Sequence, residues 1–130
     1  MKHLLVTTIS AVLLVGCQSA SQTTFKTPGI SIHEAAEKGN IEAIQKHFDA
    51  GTDVNEKDKY GDTPLHIAAV RSSRETVIQL IEKGADVNSR TKWGRTPLAE
   101  AASVGSGEIA ELLIVEGADV NAREKGGGTP

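Results

Sequence analysis

The distribution of apolar and polar residues divides this 130-residue chain into three parts. Residues 4–15 carry no charge, but these 12 residues are too few to cross a bilayer, which needs about 20 apolar residues. Residues 18–29 are rich in Ser, Thr and Gln, a composition typical of a flexible tether. From about residue 30 onward, apolar positions return in a pattern with a fixed period.

Two short motifs define that period. From residue 30 onward, Thr-Pro occurs at 63–64, 96–97 and 129–130, and Gly-x-Asp-Val-Asn occurs at 51–55, 84–88 and 117–121. Every step is 33 residues, and residues 58–90 match residues 91–123 at 17 of 33 positions, where average usage would give about two. A period of this length predicts stacked helix–turn–helix units.

Local residues explain the helices of each unit. Thr63 and Thr96 can cap an inner helix through the side-chain hydroxyl, and a proline follows each at the first helical position, where its missing N–H costs nothing. A pair of alanines later in each inner helix allows close stacking. A second, outer helix is predicted over about 74–82 and 107–115, and a glycine two residues later ends it in the left-handed conformation.

The segments GDTPLHIAAV (61–70) and GADVN (84–88) resemble the ankyrin repeat, and the resemblance extends over about residues 30–130. It implies an all-α repeat fold, an ankyrin solenoid of about three 33-residue helix–turn–helix units with β-hairpin fingers. The expected units are 30–57, which looks like an N-terminal cap, 58–90 and 91–123. The structural motif residues are Thr63, Pro64, His66, Gly84, Thr96, Pro97 and Gly117. The resemblance also gives His33 and His66 a structural role, in which they support turns through hydrogen bonds.

The two ends of the repeat region depart from the motif in different ways. In the first unit, Ser31 and Glu34 form a capping box shifted by one position, and polar side chains soften the outer face, as a terminal unit requires. His47 on that outer helix is expected to be solvated. Residues 124–130 align with the start of a further repeat and leave the last outer helix uncovered. This favours a truncated chain over a naturally weak end with a disordered tail.

The apolar start of the chain has the features of a secretory signal peptide. Lys2 supplies the positive charge that precedes the uncharged stretch. The stretch ends in Leu-Val-Gly-Cys at 14–17, which resembles a bacterial lipobox and implies cleavage of residues 1–16 and lipidation, including palmitate, at Cys17. This is the only cysteine of the chain, and it lies where that motif needs it. An ordinary cleaved signal with an incidental cysteine is the alternative.

The same resemblance predicts a location for the mature protein. The residue after the lipidated cysteine is Gln18 rather than an acidic one, which by Gram-negative sorting rules favours the periplasmic face of the outer membrane over the inner membrane. That expectation assumes a Gram-negative source. Residues 17–29 would then join the lipid to the repeats.

Charge and composition exclude several function classes. The formal net charge is −3, from 14 basic and 17 acidic residues, which does not suggest a nucleic-acid binder. A single cysteine excludes an internal disulfide framework and a multi-cysteine zinc site. No arrangement of His, Ser or carboxylate residues has the spacing of a catalytic or metal site. We therefore expect no enzyme activity, no cofactor, no metal and no small-molecule substrate.

The resemblance implies that a protein partner binds to the finger tips and to the concave side of the inner helices. In this register the candidate residues are Lys59, Tyr60, Asp62, Val70, Arg71, Lys92, Trp93, Arg95, Ser103 and Val104. Tyr60 and Trp93 occupy equivalent positions in adjacent fingers, and aromatic residues beside arginine often dominate binding energy. The alternative is that these aromatics only stack on a neighbouring finger. Glu100 is either a further contact or a tolerated polar substitution.

These observations lead to a main hypothesis and two alternatives. The main hypothesis is an envelope-anchored module that binds a periplasmic or membrane protein. A narrower alternative is an immunity or inhibitor protein against a periplasmic toxin or enzyme. The other alternative is a set of accessory repeats in a larger enzyme that continues beyond residue 130.

Overall fold

The structure, a computed structural model, describes residues 29–126. These residues form six helices: α1 (Ile32–Lys38), α2 (Ile41–Asp49), α3 (Pro64–Val70), α4 (Arg74–Glu82), α5 (Pro97–Ser103) and α6 (Gly107–Val115). The predicted outer helices 74–82 and 107–115 are confirmed with the same bounds. The predicted signal peptide, the predicted lipidation site Cys17, most of the predicted tether and residues 127–130 lie outside the described residues.

The predicted caps of the inner helices are present. The Thr63 side chain accepts a hydrogen bond from the His66 amide and the Thr96 side chain accepts one from the Ala99 amide, with a proline at the start of each helix. Gly84 follows the first of the two matched outer helices with a φ of 95°, a left-handed conformation that favours glycine. The second and third helix pairs therefore begin and end where the repeat motif predicts.

The helix pairs stack through their inner helices. Helix α3 lies between α1 and α5, and the outer helices α2, α4 and α6 pack against the inner ones. The core is aliphatic, and its largest fully buried side chains include Ile44, Leu65, Val77, Leu80, Ile109 and Leu113. The alanine pair in α3 is fully buried, which allows the inner helices to approach closely. In α5 the expectation holds for Ala101 alone, since no described residue covers Ala102.

The fingers are hydrogen-bonded turns, and the structure assigns no strand between residues 29 and 126. Two backbone bonds close the first finger, from the Asp58 amide to the Asp62 oxygen at 3.0 Å and from the Gly61 amide to the Asp58 oxygen at 2.9 Å, and the second finger repeats this pattern. The Lys92 amide donates to the Tyr60 oxygen at 3.1 Å and so ties the second finger to the first. The predicted β-hairpins are therefore turns, because the few backbone hydrogen bonds of each finger do not form a strand ladder.

The first unit differs from the prediction at two points. Ser31 caps α1 by accepting from the Glu34 amide at 3.0 Å, but the Glu34 carboxylate bonds Lys38 instead of closing the capping box. The expectation that His47 is solvated is wrong, because its side chain is buried. Its Nε2 donates to the Ile30 oxygen at 2.8 Å. The segment before α1 passes over this histidine, and the buried ring supplies the hydrogen bond that the Ile30 carbonyl accepts.

The far side of the last unit exposes apolar side chains. Val115 is 80% exposed and Ile114 is 46% exposed on α6. This exposure agrees with the expectation from the sequence that the last outer helix is uncovered. Among the described residues, none packs against that face.

Candidate functional site

A groove of about 440 Å³ lies between the fingers and the inner helices. Tyr60 and Asp62 line it from the first finger, Val70 and Arg71 from the end of α3, and Glu100 from α5. The repeat fold places these residues together because each finger precedes the inner helix of its own unit. With Glu37 from α1 also in its lining, the groove combines residues from all three units of the repeat.

The aromatic residues of adjacent fingers meet at the groove. The ring centroids of Tyr60 and Trp93 are 6.1 Å apart with an interplanar angle of 27°, a stacked geometry. They remain 45% and 54% exposed, so stacking does not remove them from the surface. The Lys59 ammonium lies 5.0 Å from the Tyr60 ring centroid. The two rings therefore stack on each other, as one alternative predicts. They also leave aromatic surface exposed, which the binding hypothesis requires.

His66 at the base of the groove is structural. The Thr63 amide donates to its Nδ1 at 3.1 Å, so Nε2 carries the proton and donates to the Arg95 oxygen at 3.0 Å. Burial lowers the pKa of His66 below its usual 6.5, which keeps the ring neutral. With both nitrogens engaged, the ring holds the second finger in place and is not free to act as a base.

His33 makes the equivalent contact one unit earlier. Its Nε2 lies 2.9 Å from the Glu56 oxygen and 3.0 Å from the Asp62 oxygen, in the first finger. The role that the resemblance implies for these two histidines is therefore what the geometry shows.

Asp62 faces the groove with an unusual environment. Its amide donates to Asp58 Oδ1 at 2.9 Å, which fixes the backbone of the finger. Within residues 29–126, no hydrogen bond or ion pair reaches its own carboxylate. Burial, and then the negative charge of Asp58, raise the pKa of Asp62 above its usual value of 3.8. The groove thus holds a half-buried carboxylate that the described residues do not pair.

Arg95 is a cross-link between the second and third fingers. Its Nε lies 2.6 Å from Glu100 Oε1, and its Nη1 lies 2.8 Å from Glu124 Oε1. The Glu100 hydrogen bond is the main reason that the pKa of Arg95 is raised. Glu100 therefore anchors this guanidinium and also lines the groove.

This cross-link does not follow from the repeat motif, although the sequence contains a signal for it. Ala99 occupies the position of His33 and His66, so the third unit has no imidazole that could reach the next finger. Arg95 and Glu124 are 29 residues apart, the same separation as between His66 and the Arg95 oxygen it binds. An ion pair at that separation replaces the missing histidine bond.

The remaining candidate residues are distributed along the same side of the stack. Those that are exposed are Lys59, Val70, Arg71, Lys92, Ser103 and Val104. The Arg71 Nε donates to the Glu37 oxygen at 3.3 Å, and Ser103 Oγ donates to the Glu100 oxygen at 2.8 Å. These contacts hold the Arg71 and Ser103 side chains at the ends of α3 and α5.

Two searches of the described residues bear on other functions. No group of three or more His, Cys, Asp or Glu side chains between residues 29 and 126 could hold a metal ion. None of the six helices is long and apolar enough to span a bilayer.

Comparison with known proteins identifies the repeats. The family model of ankyrin repeats, in three copies, matches residues 32–124. A comparison with curated proteins gives no match. Ankyrin repeats generally mediate protein–protein interaction and typically have no enzymatic activity. With most of its length matched by the family model, the chain belongs to the ankyrin-repeat family.

Proposed function

We propose that this protein is an envelope-anchored interaction module that binds a periplasmic or membrane protein through the groove and the adjacent finger tips. The observation that carries the proposal is the stacked Tyr60–Trp93 pair, which is half-exposed beside the groove. Aromatic side chains at such positions are the usual energetic centres of protein interfaces. Ankyrin repeats have this role in general, and the lipobox resemblance supplies the anchoring.

The anchoring part of the proposal is supported by the sequence before the repeats. Residues 14–17 provide the lipobox resemblance, and two or three acyl chains on Cys17 would hold the protein firmly at a membrane. Residues 18–29, if fully extended, reach roughly 40 Å. The groove could then meet a partner well away from the bilayer surface. Gln18 favours the periplasmic face of the outer membrane as the location.

The binding surface can be tested by removing its aromatic rings. We expect Tyr60→Ala combined with Trp93→Ala to abolish recovery of the partner from detergent-solubilised membranes, because interface hot spots of this kind cost at least about 2 kcal/mol, or roughly 30-fold in affinity. Both rings are half-exposed, so circular dichroism should show an intact helical fold. Glu75→Ala with Glu111→Ala, on the outer helices, is the control. Normal binding by the aromatic variant would show that the surface is assigned wrongly.

The anchor has a separate test. Mass spectrometry of the membrane fraction should find an acylated N-terminal Cys17, and Cys17→Ser should release the protein from the membrane. A product that is unmodified and soluble in the wild type would overturn the anchoring proposal without affecting the binding surface.

A further inference from the structure

The charges that line the groove do not cancel within the described part of the chain. The lining contains four carboxylates and one guanidinium: Glu37, Asp58, Asp62, Glu100 and Arg71. Arg95 neutralises Glu100 from outside the groove. The Arg71 Nε bonds a backbone oxygen rather than a carboxylate. The walls therefore keep an excess of negative charge, which favours a cation as the group that enters.

Among these carboxylates, Asp62 would be stabilised most by such a cation. It is half-buried and has no hydrogen-bond or ion-pair partner among residues 29–126. Partial burial without a partner disfavours the charged carboxylate, and the pKa of Asp62 is raised accordingly. A cation supplied by another molecule would remove the penalty only in the complex.

The aromatic pair beside the carboxylates specifies the kind of cation. A guanidinium group stacks on an aromatic face and donates two parallel hydrogen bonds to a carboxylate, whereas an ammonium acts as a compact, strongly hydrated charge. Tyr60 lines the same groove as Asp62, and Trp93 extends the aromatic surface beyond it. The half-exposed aromatic rings and the unpaired carboxylate are independent features that both fit arginine.

The finger tips restrict the neighbours of that arginine. Lys59 lies over the Tyr60 ring, and Lys92 is exposed on the adjacent finger. Two ammonium groups at the rim repel a run of basic residues, so a polybasic tail fits poorly. An arginine flanked by acidic or neutral residues is complementary to both the rim and the interior.

From this arrangement we propose that the groove receives a single arginine side chain from an extended segment of the protein partner, with its guanidinium at Asp62 and beside Tyr60. This inference rests on the proposed protein-binding function and names the chemistry that the partner presents. The flanking residues of that segment are acidic or neutral, which lets them lie beside Lys59 and Lys92.

The test uses a blocked peptide, Gly-Asp-Arg-Asp-Gly, and the same peptide with citrulline, which has the shape of arginine without its charge. NMR titration of the full chain, followed at the Trp93 indole and the Asp62 amide, measures both affinities. We expect saturable shifts with the arginine peptide and binding at least about fivefold weaker with citrulline. Asp62→Asn should weaken the arginine peptide roughly tenfold, as expected for loss of one charge-assisted hydrogen bond.

The control variant is Glu111→Gln, which makes the same change in charge on an exposed outer helix and should leave the affinity unchanged. Equal binding of the two peptides, or no loss of affinity in Asp62→Asn, would overturn the inference. Failure here is distinguishable from failure of the proposed function, because loss of the natural partner in the Tyr60→Ala, Trp93→Ala variant is measured independently. A partner that depends on the aromatic rings but not on Asp62 would support the module and reject the arginine.

Discussion

The two equivalent histidines allow a matched test of what holds the fingers to the helices. His66 is 1% exposed and His33 is half-buried, and both bind a finger through Nε2. His66→Ala leaves the Thr63 amide without its partner, while the Arg95 oxygen keeps only its bond from the Thr91 amide. The unsatisfied amide costs about 1–3 kcal/mol and the lost bond to the Arg95 oxygen about 0.5–1.5 kcal/mol, so the expected loss is roughly 2–4 kcal/mol. Burial makes the loss large, since water cannot replace the ring.

The same substitution at His33 should cost less. Its Nε2 is shared between two finger carbonyls, and the contact with the Glu56 oxygen is exposed, so solvent can replace part of it. We expect roughly 0.5–1.5 kcal/mol, the net value of an ordinary hydrogen bond. Urea unfolding, followed by circular dichroism and by the fluorescence of the single tryptophan, measures both changes. A His33→Ala variant as destabilised as His66→Ala would refute the assignment of stability to the buried bonds.

Three further predictions concern the fingers. Arg95→Met should speed amide hydrogen exchange in the third finger by severalfold, because the ion pair of Arg95 with Glu124 holds that finger in place of a histidine bond. The first finger should stay protected. An equal increase of exchange in both fingers would contradict this prediction. Asp62→Asn should be more stable than wild type at neutral pH, because folding disfavours the charged carboxylate whose pKa is raised. That advantage should shrink as pH falls through the raised pKa and vanish below 3.8, so a urea-midpoint difference that grows on acidification would refute it. Gly61→Ala should lower the free energy of unfolding by about 1 kcal/mol or more beyond the loss caused by Gly84→Ala. Both glycines have positive φ, but a Cβ at position 61 would lie 2.8 Å from the Lys92 nitrogen, whereas one at position 84 meets no atom within 4 Å. Equal losses for the two variants would count against this reasoning.

The repeat architecture could be predicted from the sequence because each of its signals is local. A threonine and a proline mark the start of α3 and of α5, and a glycine follows each outer helix at a fixed distance. The 33-residue period then specifies which residues are equivalent. Tyr60 and Trp93 were expected to lie one finger apart, and their contact follows from the stacking of the units.

The features that the sequence did not predict depend on a contact between units or on the local path of the chain. His47 looks like a residue of a polar outer face, yet the segment around Ile30 passes over it and supplies a carbonyl. The ion pair of Arg95 with Glu124 belongs to no motif, since it appears only where the histidine is replaced. The raised pKa of Asp62 arises from burial, which a residue's identity does not reveal. The lipid anchor is a proposal based on the sequence before the repeats.

The central claim is that the finger tips beside the groove contact a protein partner. Replacing Trp93 by a photo-reactive phenylalanine analogue, and Glu111 by the same analogue as the control, would test it in intact cells of the native host. We predict that irradiation yields one discrete crosslinked species from position 93 and none from position 111. A crosslink from position 111 alone, or from neither position, would contradict the account.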